Sequence, residues 1–373
     1  MIKTLTSYLV FSLFLLIRGN AMASSPESVL DISGLRQPGG MHPRVQIDYV
    51  KKQIKAKKQP FLDGYHQLLK YAATAQMHET HALIDFSVPG YYVDSANHRK
   101  NSKSLQSDSF DAYACALAYQ LSGEAKYAQE AIRFLNDWAA KNTQYSDADG
   151  SLVMSYSGTG LVMAAELLSD YKGWKQEDRQ EFFIWVGNVY RKACNQIRNR
   201  KNNWGDWGRF GSMLSAQLLA DQSEMAENIR LIKSDLFSKI AQDGHMPHET
   251  ARGANGIWYT YFSLAPITAS MWVGYQATGE NLFAYSQNNV SVKSAMDYLY
   301  QYNLKPEEWT WFKNPRPGSP GTWPGNLLEA MSGVYQDAQY AAYAKQAQPI
   351  CYDFHHFAWT FPSLMKVQLT PFK

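Results

Sequence analysis

The chain has 373 residues, 45% of them hydrophobic and 14% aromatic, with a formal net charge of +3 at pH 7. So much apolar side chain is enough to bury a sizeable core. A charge so slightly basic suits an anionic partner but makes no case for nucleic acid. The first segment carries Lys3 ahead of an apolar run, residues 8–17, too short to span a bilayer comfortably, and then Ala21-Met22-Ala23 as a small-x-small cleavage site. The expectation is a signal peptide over residues 1–23, cleaved after Ala23, with residues 24–373 forming one domain in the periplasm or outside the cell. No cysteine lies near that site to take a lipid anchor, and no later stretch reads as a membrane span.

Apolar spacing then predicts helices in succession. From residue 107 to 122 the positions Phe110, Tyr113, Ala114, Leu117, Ala118 and Leu121 recur at helical intervals, and Gly123 ends the run. The next run, from Glu124, repeats the pattern with Tyr127, Ala131, Ile132, Leu135 and Trp138, so the two form an αα-hairpin. Similar segments fall near 45–76, 157–172, 175–199, 206–221, 223–242, 256–277, 281–301 and 325–347. Strictly alternating β-branched stretches are nearly absent. The expected fold is all-α: a single-domain α/α toroid, or incomplete α/α barrel, of antiparallel helix pairs. A solenoid would need a fixed repeat period, and none is present.

Two irregular stretches interrupt the helices. Residues 85–106 contain Tyr91, Tyr92, His98, Arg99 and Lys100; residues 303–325 contain Trp309, Trp311, Lys313, Arg316 and Trp323 among five prolines. Long loops in a compact domain are often binding loops, and aromatic with basic residues suits a sugar polymer bearing carboxylates. The plainer reading is that they cover helix ends. Cys115, Cys194 and Cys351 show no metal or redox spacing, leaving one disulfide or buried thiols as the alternatives.

The densest polar motifs are NRKNNWGDWGRFG from Asn199 and DGHMPHETARGANGIWY ending at Tyr259. Here the sequence resembles the alginate lyase superfamily, whose members have an α/α toroid and a catalytic Asn, His, Arg and Tyr. That family shows Asn-Asn-His opening a helix, then Pro-x-Glu-x-x-Arg-Gly with a Tyr seven residues beyond the Arg. In this chain Pro247, Glu249, Arg252, Gly253 and Tyr259 match the second block, and Asn202 and Asn203 match the first. The helix pair at 112–139 and the His42-Pro43-Arg44 start also look like the family, so the likeness spans roughly 40–345. One position departs: Trp204 stands where the alginate enzymes have His. His245 and His248 are the nearest candidates to replace it.

The resemblance implies a polysaccharide lyase acting on an anionic polymer. The sequence has no phosphate-cradling glycine loop and no G-x-S-x-G elbow, so no organic cofactor is expected. The C5 proton of a uronate is weakly acidic while the C6 carboxylate is ionised, so a neutralising group must meet that carboxylate. Asn203 is the candidate, helped by Arg252 or a histidine, with His248 the first choice among the catalytic set. A base must take H5 and an acid must protonate the departing O4. Tyr259 could do both where the two groups lie on one face of the ring, as in mannuronate and glucuronate. Substrate contacts are expected from Asn202, Trp204, His245, Tyr91, Arg99, Lys313 and Arg316.

Each residue has a structural alternative. Asn202 and Asn203 could cap a helix, and Arg252 could pair only with Glu249 at i, i+3. Tyr259 is one of 24 tyrosines, and Trp207 reads as core. A glycoside hydrolase on the same architecture would need two carboxylic acids at the cleft, from Asp137, Asp206 and Glu249. A silent sugar-binding protein is the other rival. His78 and His81 lack zincin spacing and a third ligand, and read as a solvated helix face, with no metal site; His355-His356 is equally unsupported.

Overall fold

The computed structural model describes residues 39–372, so the expected signal peptide at residues 1–23 lies outside the described residues. After Pro43 come α1 (Arg44–Lys55) and α2 (Phe61–Ala75), then a short strand β1 (Asp85–Ser87). The long α3 (Ser95–Ser122) turns at Gly123, which takes the left-handed conformation, into α4 (Ala125–Lys141). Strand β2 (Gln144–Ser146) pairs in parallel with β1. Next come α5 (Gly150–Ser157), α6 (Thr159–Leu167), α7 (Gln176–Trp185) and, after one π-helical turn, α8 (Arg191–Ile197). The second half holds α9 (Asn203–Leu219), α10 (Gln222–Asp235), a single turn α11 (Pro247–Thr250) and α12 (Gly256–Thr278). A two-residue hairpin of β3 (Ser286–Gln287) and β4 (Val290–Ser291) leads to α13 (Val292–Leu304), α14 (Gly325–Tyr335) and α15 (Ala338–Lys345).

The helices sort into two layers by how much of each is enclosed. Every residue of α6 is buried, as are nearly all of α9 and most of α12, so their side chains find protein on all sides. By contrast α4 buries one stripe: Tyr127, Ala128, Ala131, Phe134, Leu135 and Trp138. A helix apolar all round belongs inside, and an amphipathic one belongs outside with its polar face in water. Thus α3 packs on α2, α4 and α6, while α9 packs on α5, α8, α10 and α12. This is the α/α toroid expected from the helix-pair pattern.

Several boundaries differ from the sequence reading, each for a physical reason. Residues 95–106 are not loop but the first turns of α3. The polar run has no apolar period, yet Asp94 caps it, its side chain accepting from the Asn97 N–H at 3.0 Å. Segment 45–76 breaks at Pro60 into two helices. His78 and His81 do not lie on a helix. They sit in an irregular stretch before β1, where His78 Nδ1 meets Asp111 at 2.8 Å and His81 Nδ1 meets Asp108 at 2.7 Å, so both are pinned to α3. Burial raises both aspartates above the ordinary carboxylate range, against the pull of these histidines. All three cysteines are free thiols, Cys115 and Cys194 buried.

Candidate active site

The start of α9 is set by close backbone packing. A Cβ on Gly205 would lie 1.9 Å from the Arg200 carbonyl oxygen, so only glycine lets this turn approach the chain leaving α8. Asn202 is the N-cap, its side chain accepting from the Trp204 N–H at 3.3 Å. Asn203, next in line, is buried and faces Glu249 of α11. Its backbone N–H and its Nδ2 donate to Glu249 Oε1 and Oε2, each at 2.8 Å. Burial pushes the Glu249 carboxyl up to about 7, while these two donors, and more weakly Arg252, pull it back. Two-point attachment fixes the Asn203 amide and leaves its second Nδ2 hydrogen for another acceptor.

Arg252 does not pair with Glu249 through its side chain; its backbone N–H bonds the Glu249 carbonyl at 3.1 Å. Gly253, at φ +59°, then turns the chain into α12 and brings Tyr259 back over Arg252. The guanidinium lies 4.2 Å from the Tyr259 ring centre and 5.4 Å from that of Tyr92. Arg252 Nη2 donates to the Tyr92 hydroxyl at 3.1 Å, and the Tyr92 and Tyr259 hydroxyls lie 2.8 Å apart. Burial and the Tyr92 hydrogen bond raise the Tyr259 phenol well above its ordinary value, and the Arg252 charge opposes them. Tyr92 is 67% exposed, so this contact caps the site from the solvent side.

From Tyr92 a series of rings continues around the site. Tyr92 meets Tyr91 edge-on at 5.5 Å, and Tyr91 meets His98 at 5.3 Å. On the other side Tyr259 meets Trp258 at 4.7 Å, and Trp258 stacks on His355 at 5.7 Å. His355 is buried, with Nδ1 3.0 Å from the Tyr352 hydroxyl. Neither His98 nor His355 stood among the expected site residues. The C-terminal histidines have no motif around them, and only packing under α12 brings His355 here.

The expected site residues separate into two groups. Tyr259, Arg252 and Asn203 come together through Glu249 and Tyr92; Tyr91 joins them from the loop before α3, and Arg99 from the start of α3 itself. Arg99 Nη1 donates to the Tyr91 hydroxyl at 3.3 Å. Trp204 is half-buried with the Arg200 guanidinium 3.9 Å from its ring centre. His245 is taken up by Asp243, 2.5 Å from its Nδ1, and by the Trp311 ring at 4.6 Å. His248 is exposed and has no hydrogen bond among the described residues. Lys313 and Arg316 are exposed; the Arg316 backbone N–H bonds the Ala254 carbonyl at 3.0 Å, which ties the 303–325 loop to the Arg252 turn. Asp206 is held by Lys239 at 2.5 Å and by Ser263, and Asp137 by Lys141 at 2.7 Å. The carboxylates a hydrolase would use are thus engaged separately.

A family model described as alginate lyase matches residues 48–309. The chain belongs to the alginate lyase family. It is a polysaccharide lyase. No curated protein matches the sequence. Among solved structures it is similar to an alginate lyase from Bacteroides ovatus, with a TM-score of 0.70 at 19% identity, over 87% of this chain and 100% of that one. It is also similar to alginate lyase A1-III from Sphingomonas species A1, with a TM-score of 0.74 at 14% identity over 92% and 99% of the two chains. A tyrosine-to-phenylalanine variant of A1-III in complex with a tetrasaccharide gives 0.72 at 14% identity, again over 92% and 99%. At these identities the likeness is one of fold. Among the described residues no helix of this lyase is long and apolar enough to cross a membrane.

Proposed function

We propose that this lyase cuts a uronate polymer by syn β-elimination, with Tyr259 as base and acid, and that its substrate is alginate in its mannuronate blocks. The carrying observation is the Arg252 guanidinium 4.2 Å over the Tyr259 ring, three residues along the chain from the Glu249 carboxyl that fixes the Asn203 amide. In the free protein the Tyr259 phenol is held neutral by burial and by Tyr92. A sugar that displaces Tyr92 removes the second cause and leaves Arg252 to favour the phenolate. Tyr259 then takes H5, the C4–O4 bond breaks as the C4–C5 double bond forms, and the same hydroxyl returns the proton to O4. Asn203 donates to the C6 carboxylate, where negative charge builds.

Glucuronate shares the C4–C5 stereochemistry of mannuronate, so glucuronan is the second substrate this geometry admits. Tyr91, Arg99, Lys313 and Arg316 supply aromatic and basic contacts for neighbouring sugars. We further propose export to the periplasm or beyond, with residues 1–23 removed as a signal peptide and residues 24–373 remaining as the lyase domain. The test is the ultraviolet absorbance of the new double bond with polymannuronate, polyguluronate and glucuronan offered separately. A rise with mannuronate or glucuronate alone fits; equal rates on polyguluronate refute the syn assignment, and reducing ends without absorbance refute elimination.

A further inference from the structure

Trp204 leaves the family's histidine position without an imidazole, and neither motif histidine nearby takes its place: His245 is engaged by Asp243 and Trp311, and His248 stands exposed. A different imidazole lies in the site. His98, in the first turn of α3, is buried, with Nδ1 2.9 Å from the Pro89 carbonyl oxygen and 3.3 Å from Asp149 Oδ2. Those contacts fix the ring and turn Nε2 the other way, where it has no partner among the described residues. Asp149 also accepts the Tyr91 N–H at 2.8 Å, so the loop carrying Tyr92 to Tyr259 and the His98 ring are set by one carboxylate.

A second nitrogen on this side is also unmet. His355 Nε2 is buried without a hydrogen-bond partner, although the ring is enclosed by Trp258, Phe262 and Tyr156. Burial, with the charge of nearby His98 adding to it, pushes His355 down to about 3, so it stays a neutral ring. A buried polar atom without a partner costs free energy that an incoming hydrogen-bonding ligand relieves.

We propose that His98, through Nε2, contacts the uronate C6 carboxylate in this chain, where Trp204 fills the motif histidine position. This rests on the lyase reading above. Asp149 and the Pro89 carbonyl hold one edge of the ring, and a hydrogen bond from Nε2 on the other edge strengthens as charge moves onto the sugar carboxylate. Asn203 then serves the same group from α9, and Tyr259 is left to move the proton.

Two amide substitutions separate the edges of the ring. His98→Asn keeps a donor for the Pro89 carbonyl and removes the nitrogen facing the sugar; His98→Gln extends a donor toward the Nε2 position. With the full chain and polymannuronate, kcat read from double-bond absorbance should fall about a hundredfold in His98→Asn and by less than about tenfold in His98→Gln, with both melting cooperatively. If the Asn variant does not fold, His98→Phe, which keeps the ring against Tyr91, replaces it in the comparison. A His98→Asn kcat within about threefold of wild type, or equal losses in the Asn and Gln variants, overturns the proposal. Wild type that yields no double bond on any uronate polymer refutes the lyase reading instead.

Discussion

The Tyr92–Tyr259 contact allows one hydrogen bond to be removed from either end, with very different results expected. Tyr259→Phe deletes the proposed base and acid. Tyr92→Phe deletes the same 2.8 Å bond, and with it the 3.1 Å bond from Arg252 Nη2, but leaves the Tyr259 hydroxyl in place. A neutral hydrogen bond contributes about 0.5–1.5 kcal/mol net, and the exposure of Tyr92 puts this one toward the lower end. In a domain of this size that corresponds to a fall of at most about 5 °C in melting temperature for Tyr259→Phe, and a somewhat larger fall for Tyr92→Phe. Turnover should diverge. General base and general acid action contribute about 10²–10⁴ each, so Tyr259→Phe should lower kcat by about 10⁴ or more. Tyr92→Phe should stay within about tenfold of wild type, because Arg252 still sits over the Tyr259 ring. The assay is absorbance of the double bond on polymannuronate, beside thermal melts of both variants. Near-normal turnover in Tyr259→Phe would remove that residue from the mechanism, and equal collapse of both variants would mean that the pair, not Tyr259 alone, carries the proton.

Asn203→Ala should lower kcat by roughly a hundredfold, and should also cost about 1.5–3 kcal/mol of stability because buried Glu249 loses a donor; urea unfolding with kinetics separates the two effects. Glu249 has its carboxyl raised from 4.5 to about 7, so the stability its neutral form contributes is fully present below about pH 4.5 and is lost as pH rises through 7. Wild type should therefore lose about 3 kcal/mol relative to Glu249→Gln between pH 4.5 and pH 8, measured by urea unfolding across that range, and a constant difference would contradict the assignment. His248→Ala and His245→Ala should each leave kcat within about threefold of wild type in the same absorbance assay, since neither ring is hydrogen-bonded to Tyr259, Arg252 or Asn203.

Local pattern alone sufficed for the helix pairs and the family. The apolar period of 107–122, the Gly123 turn and the stripe of α4 report burial of one helix face, and that preference acts within a few residues of chain. The Asn202-Asn203 and Pro247 to Tyr259 motifs were equally legible, because both are continuous in sequence. Trp207 reads as core in the sequence, and it is wholly enclosed.

Other features depend on groups that meet only when distant segments pack. The polar start of α3 has no apolar period; Asp94 caps it, and the position of the loop before it decides that Tyr92 reaches Tyr259, 167 residues away. Glu249 looked like a partner for Arg252, but the approach of α9, which Gly205 permits, gives it to Asn203 instead. His98 and His355 look ordinary in sequence, 257 residues apart by their numbers. What distinguishes them is an unpaired ring nitrogen on each, and pairing is settled by what the whole fold leaves within 3 Å, which no local period encodes.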